Sequence, residues 1–154
     1  LKKYLTDGAE AVQEVTINNI RDGVISVLSQ NFPNIKRYGE EIKQGFTEPC
    51  FFVKLLPMEH TRELGRRFRR YHTFDIHYFP AGDRKVNAAH DMAEKLYGLF
   101  RFITIDQQQY IITSTNHEVT DEVLHFFFDI NFMVWEEAPN DPKMRTLAQE
   151  GWLK

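Results

Sequence analysis

The stretch YHTFDIHYFP, Tyr71–Pro80, alternates large apolar side chains with polar and titratable ones. Successive side chains of a strand point to opposite faces. Phe68, Arg70, His72, Phe74, Ile76 and Tyr78 therefore share one face, and Arg67, Arg69, Tyr71, Thr73, Asp75, His77 and Phe79 share the other. A second stretch, HFFFDINFMV (His125–Val134), echoes it: Phe74-Asp75-Ile76-His77-Tyr78 returns as Phe128-Asp129-Ile130-Asn131-Phe132. There the first face is wholly apolar (Leu124, Phe126, Phe128, Ile130, Phe132, Val134), and the second holds His125, Phe127, Asp129, Asn131, Met133 and Trp135.

Outward from these two strands, the other elements follow from periodicity. Thr16 suits a helix N-cap, and Ile17, Ile20, Val24, Val27 and Leu28 recur at helical spacing up to Asn31, before Pro33. A short strand at Ile35–Tyr38 precedes a buried one, Cys50–Leu56, and a longer one is expected from Leu64 to Phe79. These last two, with PMEHTREL as the tip, form an extended hairpin arm. Asp83 and Asn87 are capping candidates in a turn. Val86, Ala89, Ala93, Leu96, Tyr97 and Phe100 then mark a second amphipathic helix, with Met92 near its edge. Ile103–Ile105, a glutamine-rich turn and Tyr110–Asn116 make a hairpin, Asn116-His117-Glu118 reads as loop, and the last strand is Glu122–Trp135. The fold class is α+β: a mostly antiparallel sheet of about four to five strands with two amphipathic helices on one face. Residues 1–15 read as an N-terminal extension or arm, 16–136 as the domain, and 137–154 as a tail that orders on a partner.

Composition narrows the function classes. The chain has 154 residues, enough for one domain with its own core. Nineteen basic against 22 acidic side chains leave a net charge of -3, which opposes bulk capture of nucleic acid. One cysteine excludes an internal disulfide and a multi-cysteine zinc site; buried in an apolar run, Cys50 reads as inert. No apolar run approaches the ~18 residues of a membrane span, so the expectation is a soluble protein made in the cytoplasm without membrane contact.

Two helices can cover only the first face. The second face, with Phe52 and Leu56 added from the earlier strand, would leave large apolar groups in water, so another copy or a partner protein is expected to cover it. Interface residues inferred from strand parity and the arm are Phe52, Met58, Glu59, Arg62, Arg66, Arg67, Arg69, Tyr71, Asp75, His77, Phe127, Asp129, Asn131 and Trp135. Rival readings use the same residues. A metal could sit on the Asp75, His77 and Asp129 face, His77 meeting His125 or Asp129 across strands, but no ligand spacing such as H-E-x-x-H accompanies it. Catalysis by Asp75 and Asp129 lacks a nucleophile and an oxyanion loop. RRFRR, Arg66–Arg70, could touch phosphates or the acidic groups of a neighbour, or be a solvated strand end. No glycine-rich phosphate loop is present. The chain reads as a non-enzyme without cofactor.

TINNIRDGVISVLSQNFPNIKRYGEEIKQGFTEPCFFVKLL, RRFRRYHTFDIHYFP, HDMAEKLYGLF and NHEVTDEVLHFFFDINFMVW together, from about Thr16 to Trp135, resemble the phage tail terminator family of Gram-positive phages, defective prophages and phage-tail-like bacteriocin particles. The resemblance implies a structural protein forming a ring, usually six-fold. Such a ring caps the tail tube, stops its polymerisation and joins the head connector or collar; in contractile tails it also meets the last sheath layer. It implies no catalytic residues. In a particle carrying DNA, the arginine cluster would face the channel.

Overall fold

A computed structural model describes residues 4–6, 15–39 and 45–138. Its frame is set by two long antiparallel strands, β5 (Arg67–Phe79) and β8 (Val123–Glu136), paired from Arg67↔Trp135 to Tyr78↔Leu124. These are the two stretches that alternation singled out. Their first faces meet in one row, where the Phe74 and Phe128 rings stack 5.3 Å apart.

On the far side of β5 lies β3 (Cys50–Leu55), antiparallel to it, and beyond β3 the short β2 (Lys36–Tyr38) in the sheet's parallel pairing. On the far side of β8 lie β7 (Gln108–Thr120) and then β6 (Phe102–Ile105). The order across is β2-β3-β5-β8-β7-β6. Two further strands extend existing rows: β4 (Glu59–Leu64) continues along β5 past the end of β3, and β1 (Tyr4–Thr6) pairs with Val134–Glu136 of β8. The sheet is thus wider than the expected four to five strands, while the α+β class and the mostly antiparallel pairing stand.

Helix α1 (Ile17–Asn31) starts where expected. Thr16 Oγ1 accepts from the Asn19 amide at 3.1 Å, and the Thr16 amide donates to Asn19 Oδ1 at 2.9 Å, a reciprocal cap. Helix α2 (Lys85–Leu99) has Arg84 at its N-cap and no side-chain cap, so neither Asp83 nor Asn87 caps it. Both helices pack on the first face. Ile20, Val24 and Leu28 from α1 and Ala89, Met92, Ala93 and Leu96 from α2 close over Phe51, Phe74, Ile76, Phe126, Phe128 and Ile130. Met92 lies inside this core, whereas Val86 is exposed. Each buried phenylalanine contributes about 2–3 kcal/mol through the water it sheds.

Two turns correct the sequence reading. The long strand begins at Arg67, because Gly65 (φ +58°) and Arg66 form a two-residue hairpin loop between Leu64 and Arg67. The arm's tip is therefore this loop; Glu59–Leu64, expected in the tip, is a strand whose six residues are all exposed, so no apolar alternation announced it. Asp121 and Glu122 (φ +51° and +64°) join β7 to β8 in a tight hairpin without glycine. Asn116-His117-Glu118 consequently lies in strand, held by pairing with Phe127, Phe126 and His125, and β8 starts after Glu122.

Candidate functional site

The second face of the sheet is the candidate site. Register builds it row by row. Phe52, His77, His125 and Glu118 form one row across β3, β5, β8 and β7; Lys54, Asp75, Phe127 and Asn116 form the next. Thr73, Asp129 and Ser114 follow, then Tyr71 and Asn131, with Glu59 beside Tyr71 on the arm. No described helix packs on this face. Among the described residues it offers shallow depressions, one lined by Thr73, Asn116, Phe127 and Asp129.

The two faces are as parity assigned them, and of the two partners expected for His77 the register selects His125. His77 stands opposite His125, with ring centroids 4.3 Å apart, and Asp129 belongs to another row. Asp75 is buried, and its Oδ2 accepts from both imidazoles: His77 Nε2 is at 2.6 Å and His125 Nδ1 at 3.2 Å. Asp129 instead accepts from Thr73 Oγ1 at 2.7 Å, and Asn131 Nδ2 donates to Thr113 Oγ1 at 3.2 Å. The two aspartates that the echo made equivalent thus have different partners. Asp75 and Asp129 do not pair with each other.

The other expected interface residues divide by exposure. Phe52 is 3% exposed, stacked under Tyr38 at 5.1 Å and flanked by Phe46 and Phe79, so its ring is already covered within the subunit. Tyr71 is exposed, while Phe127, Met133 and Trp135 are half-buried. Met58 is half-buried where β3 gives way to β4, and Glu59 is exposed. Arg62 lies over the Phe68 ring at 5.1 Å, on first-face parity and so away from Tyr71.

The arginine cluster is engaged internally. Arg69 Nε lies 2.6 Å and Arg67 Nη2 3.8 Å from Glu63 carboxylate oxygens. Arg66 donates to the Glu136 carbonyl and Arg70 to the Val15 carbonyl. The Glu63 carboxyl is held below its ordinary range by the Arg69 hydrogen bond and charge. Cys50 is fully buried, and desolvation aided by Glu48 pushes its thiol up to about 11; it is the inert group expected.

Parity alone placed His125, Thr73 and Asp129 on one face. Their grouping needed the register, and Glu118 was missed because its segment carries little apolar alternation. Residues 19–142 of the sequence match the family described as phage tail terminator protein.

This chain belongs to the phage tail terminator family. Membership makes it a structural protein of a phage tail. No curated protein matches the chain. Among solved structures, one similar chain shares 16% identity over 82% of this chain and 99% of its own, with a TM-score of 0.43. No described helix is long and apolar enough to cross a membrane.

Proposed function

We propose that the chain closes into a ring, six-fold by the habit of its family, that caps the finished tail tube and stops its polymerisation. The observation that carries this reading is the second face. Tyr71, Phe127, Met133 and Trp135 line a sheet surface that no described helix covers, and such a surface is sheltered economically by a neighbour. Around it, Glu59, Asp129 and Asn131 form a polar rim with Met58 beside it, and the β4–β5 hairpin with its Gly65-Arg66 tip reaches to the next subunit or to the tube. A contact that repeats head-to-tail and closes on itself gives a finite ring instead of a fibre.

Termination is then a matter of geometric mismatch. One side of the ring complements the end of the tube, and the other lacks the surface a further tube subunit needs. That second side meets the head connector or collar, and in a contractile particle the ring also meets the last sheath layer. The arginines at the arm argue for shape more than for DNA, since Glu63 and two backbone carbonyls already hold them. Assembly takes place in the host cytoplasm.

The test is electron microscopy of particles made without this protein. Overlong, ragged tubes that regain their length when the protein is supplied are expected; tails of normal length would overturn the reading.

A further inference from the structure

One cluster on the second face has a chemistry that assembly does not require. Asp75 and His77 point the same way from β5, and His125 faces His77 from β8. One ligand-capable atom from each lies within 4.8 Å of the others. The Asp75 side chain is 8% exposed, and its Oδ1 is buried without a hydrogen-bond partner among the described residues. The two imidazoles are 18% and 23% exposed, so the cluster is reachable from outside.

A carboxylate withdrawn from water is costly unless positive charge accompanies it. Lys54 is the cation nearest by register, opposite Asp75, yet its side chain lies exposed. Two imidazole nitrogens and a carboxylate oxygen converging on one point are a donor set for a borderline divalent ion; calcium and magnesium call for oxygens alone. The geometry points to a zinc-class site made by Asp75, His77 and His125, strapping the two central strands together on the helix-free face. Glu118, opposite His125 on β7, is the nearest fourth donor by register.

Protons and a cation are alternative bridges between the same atoms. In the hydrogen-bonded form each imidazole aims an N–H at Asp75 Oδ2. To bind the ion, each ring carries its N–H on the other nitrogen and turns a lone pair to the metal. Zinc bonds of about 2.0–2.1 Å set tetrahedral neighbours about 3.3 Å apart. The 2.6 Å His77–Asp75 contact must therefore widen by less than ~1 Å, within the reach of side-chain rotation. This inference stands independently of the ring.

The test is titration of the chelator-stripped full chain with zinc chloride, read by calorimetry and by thermal unfolding. We expect one ion per chain at micromolar affinity or tighter, and a rise in Tm that a chelator reverses. His77→Ala and His125→Ala should each weaken binding at least about tenfold, while His117→Ala and Lys54→Ala should not. Cobalt on the unmutated chain should give the intense visible absorption of a four-coordinate site, a readout that survives if a variant fails to fold. Absence of heat, Tm shift and cobalt spectrum would overturn the site, leaving a hydrogen-bonded network only. Binding that persists in His125→Ala but is lost in His117→Ala would overturn it too, moving the ion to the His90–His117 pair, whose ring nitrogens lie 3.3 Å apart.

Discussion

His72 lies flat on Phe132, the ring planes 9° apart and the centroids 5.1 Å apart, in the row beside Ile130. The histidine is fully buried; its Nδ1 donates to the Ile130 carbonyl at 3.1 Å, and its Nε2 is buried without a partner among the described residues. Desolvation dominates, pushing its pKa from 6.5 down to about 4; the Ile130 hydrogen bond opposes this and the Arg70 charge adds to it. A base whose folded pKa lies below its unfolded value binds fewer protons when folded. Its contribution to stability is therefore complete above about pH 6.5 and falls away as pH drops from there toward 4.

The first prediction is about 3 kcal/mol of acid-dependent stability from this one side chain. Denaturant unfolding between pH 7 and pH 4 should show a slope that His72→Phe, which cannot protonate, flattens by that amount. An unchanged slope in the variant would mean that His72 is accessible to protons in the folded state.

A second prediction concerns Gly23, where α1 crosses β6. A Cβ there would stand 2.8 Å from Ile105 Cγ1 and 3.0 Å from its Cδ1. Alanine favours a helix by about 1 kcal/mol, but overpacking a well-filled contact costs about 1–3 kcal/mol. Gly23→Ala should lose about 1 kcal/mol in chemical denaturation, and adding Ile105→Val should recover part of it.

The β7–β8 hairpin allows a stabilising substitution. Glu122 adopts φ +64°, a conformation that costs L residues roughly 1 kcal/mol and suits glycine. Glu122→Gly creates the Asp-Gly pair that such loops favour. It should raise stability by about 0.5–1 kcal/mol, read as a higher denaturant midpoint at unchanged slope.

The core prediction is Phe128→Ala. Its ring stacks between Phe74 and Phe100 at 5.3 Å and 4.8 Å and is 1% exposed. Removing it should cost about 3–5 kcal/mol, enough to show as loss of folded protein at 37 °C.

Tyr71→Asp tests the face itself. Tyr71 is 36% exposed, so a charge there should leave Tm within about 2–4 °C of the parent. If neighbours cover this face, the same change should abolish the oligomer seen by native mass spectrometry or on tube ends. An oligomer indifferent to it would move the contact elsewhere.

The alternation of Tyr71–Pro80 and His125–Val134 was enough to assign the faces of both strands, because a side chain's face depends only on its position parity. The α1 cap was also legible, since Thr16 and Asn19 sit three residues apart and a cap is local chemistry. Segments without apolar contrast were not. Glu59–Leu64 and Asn116–Thr120 are strands because β5 and β8 offer them backbone partners, and their own side chains say little about it.

Tertiary structure alone decided who meets whom. The echo FDIHY/FDINF made Asp75 and Asp129 look alike, but antiparallel pairing runs the two copies away from each other after the Phe74–Phe128 row. Asp75 thereby joins His77 and His125, while Asp129 receives Thr73. Local pattern determines which way a side chain points. Its neighbours across strands depend on register, which is set by the whole core and the tight turns together.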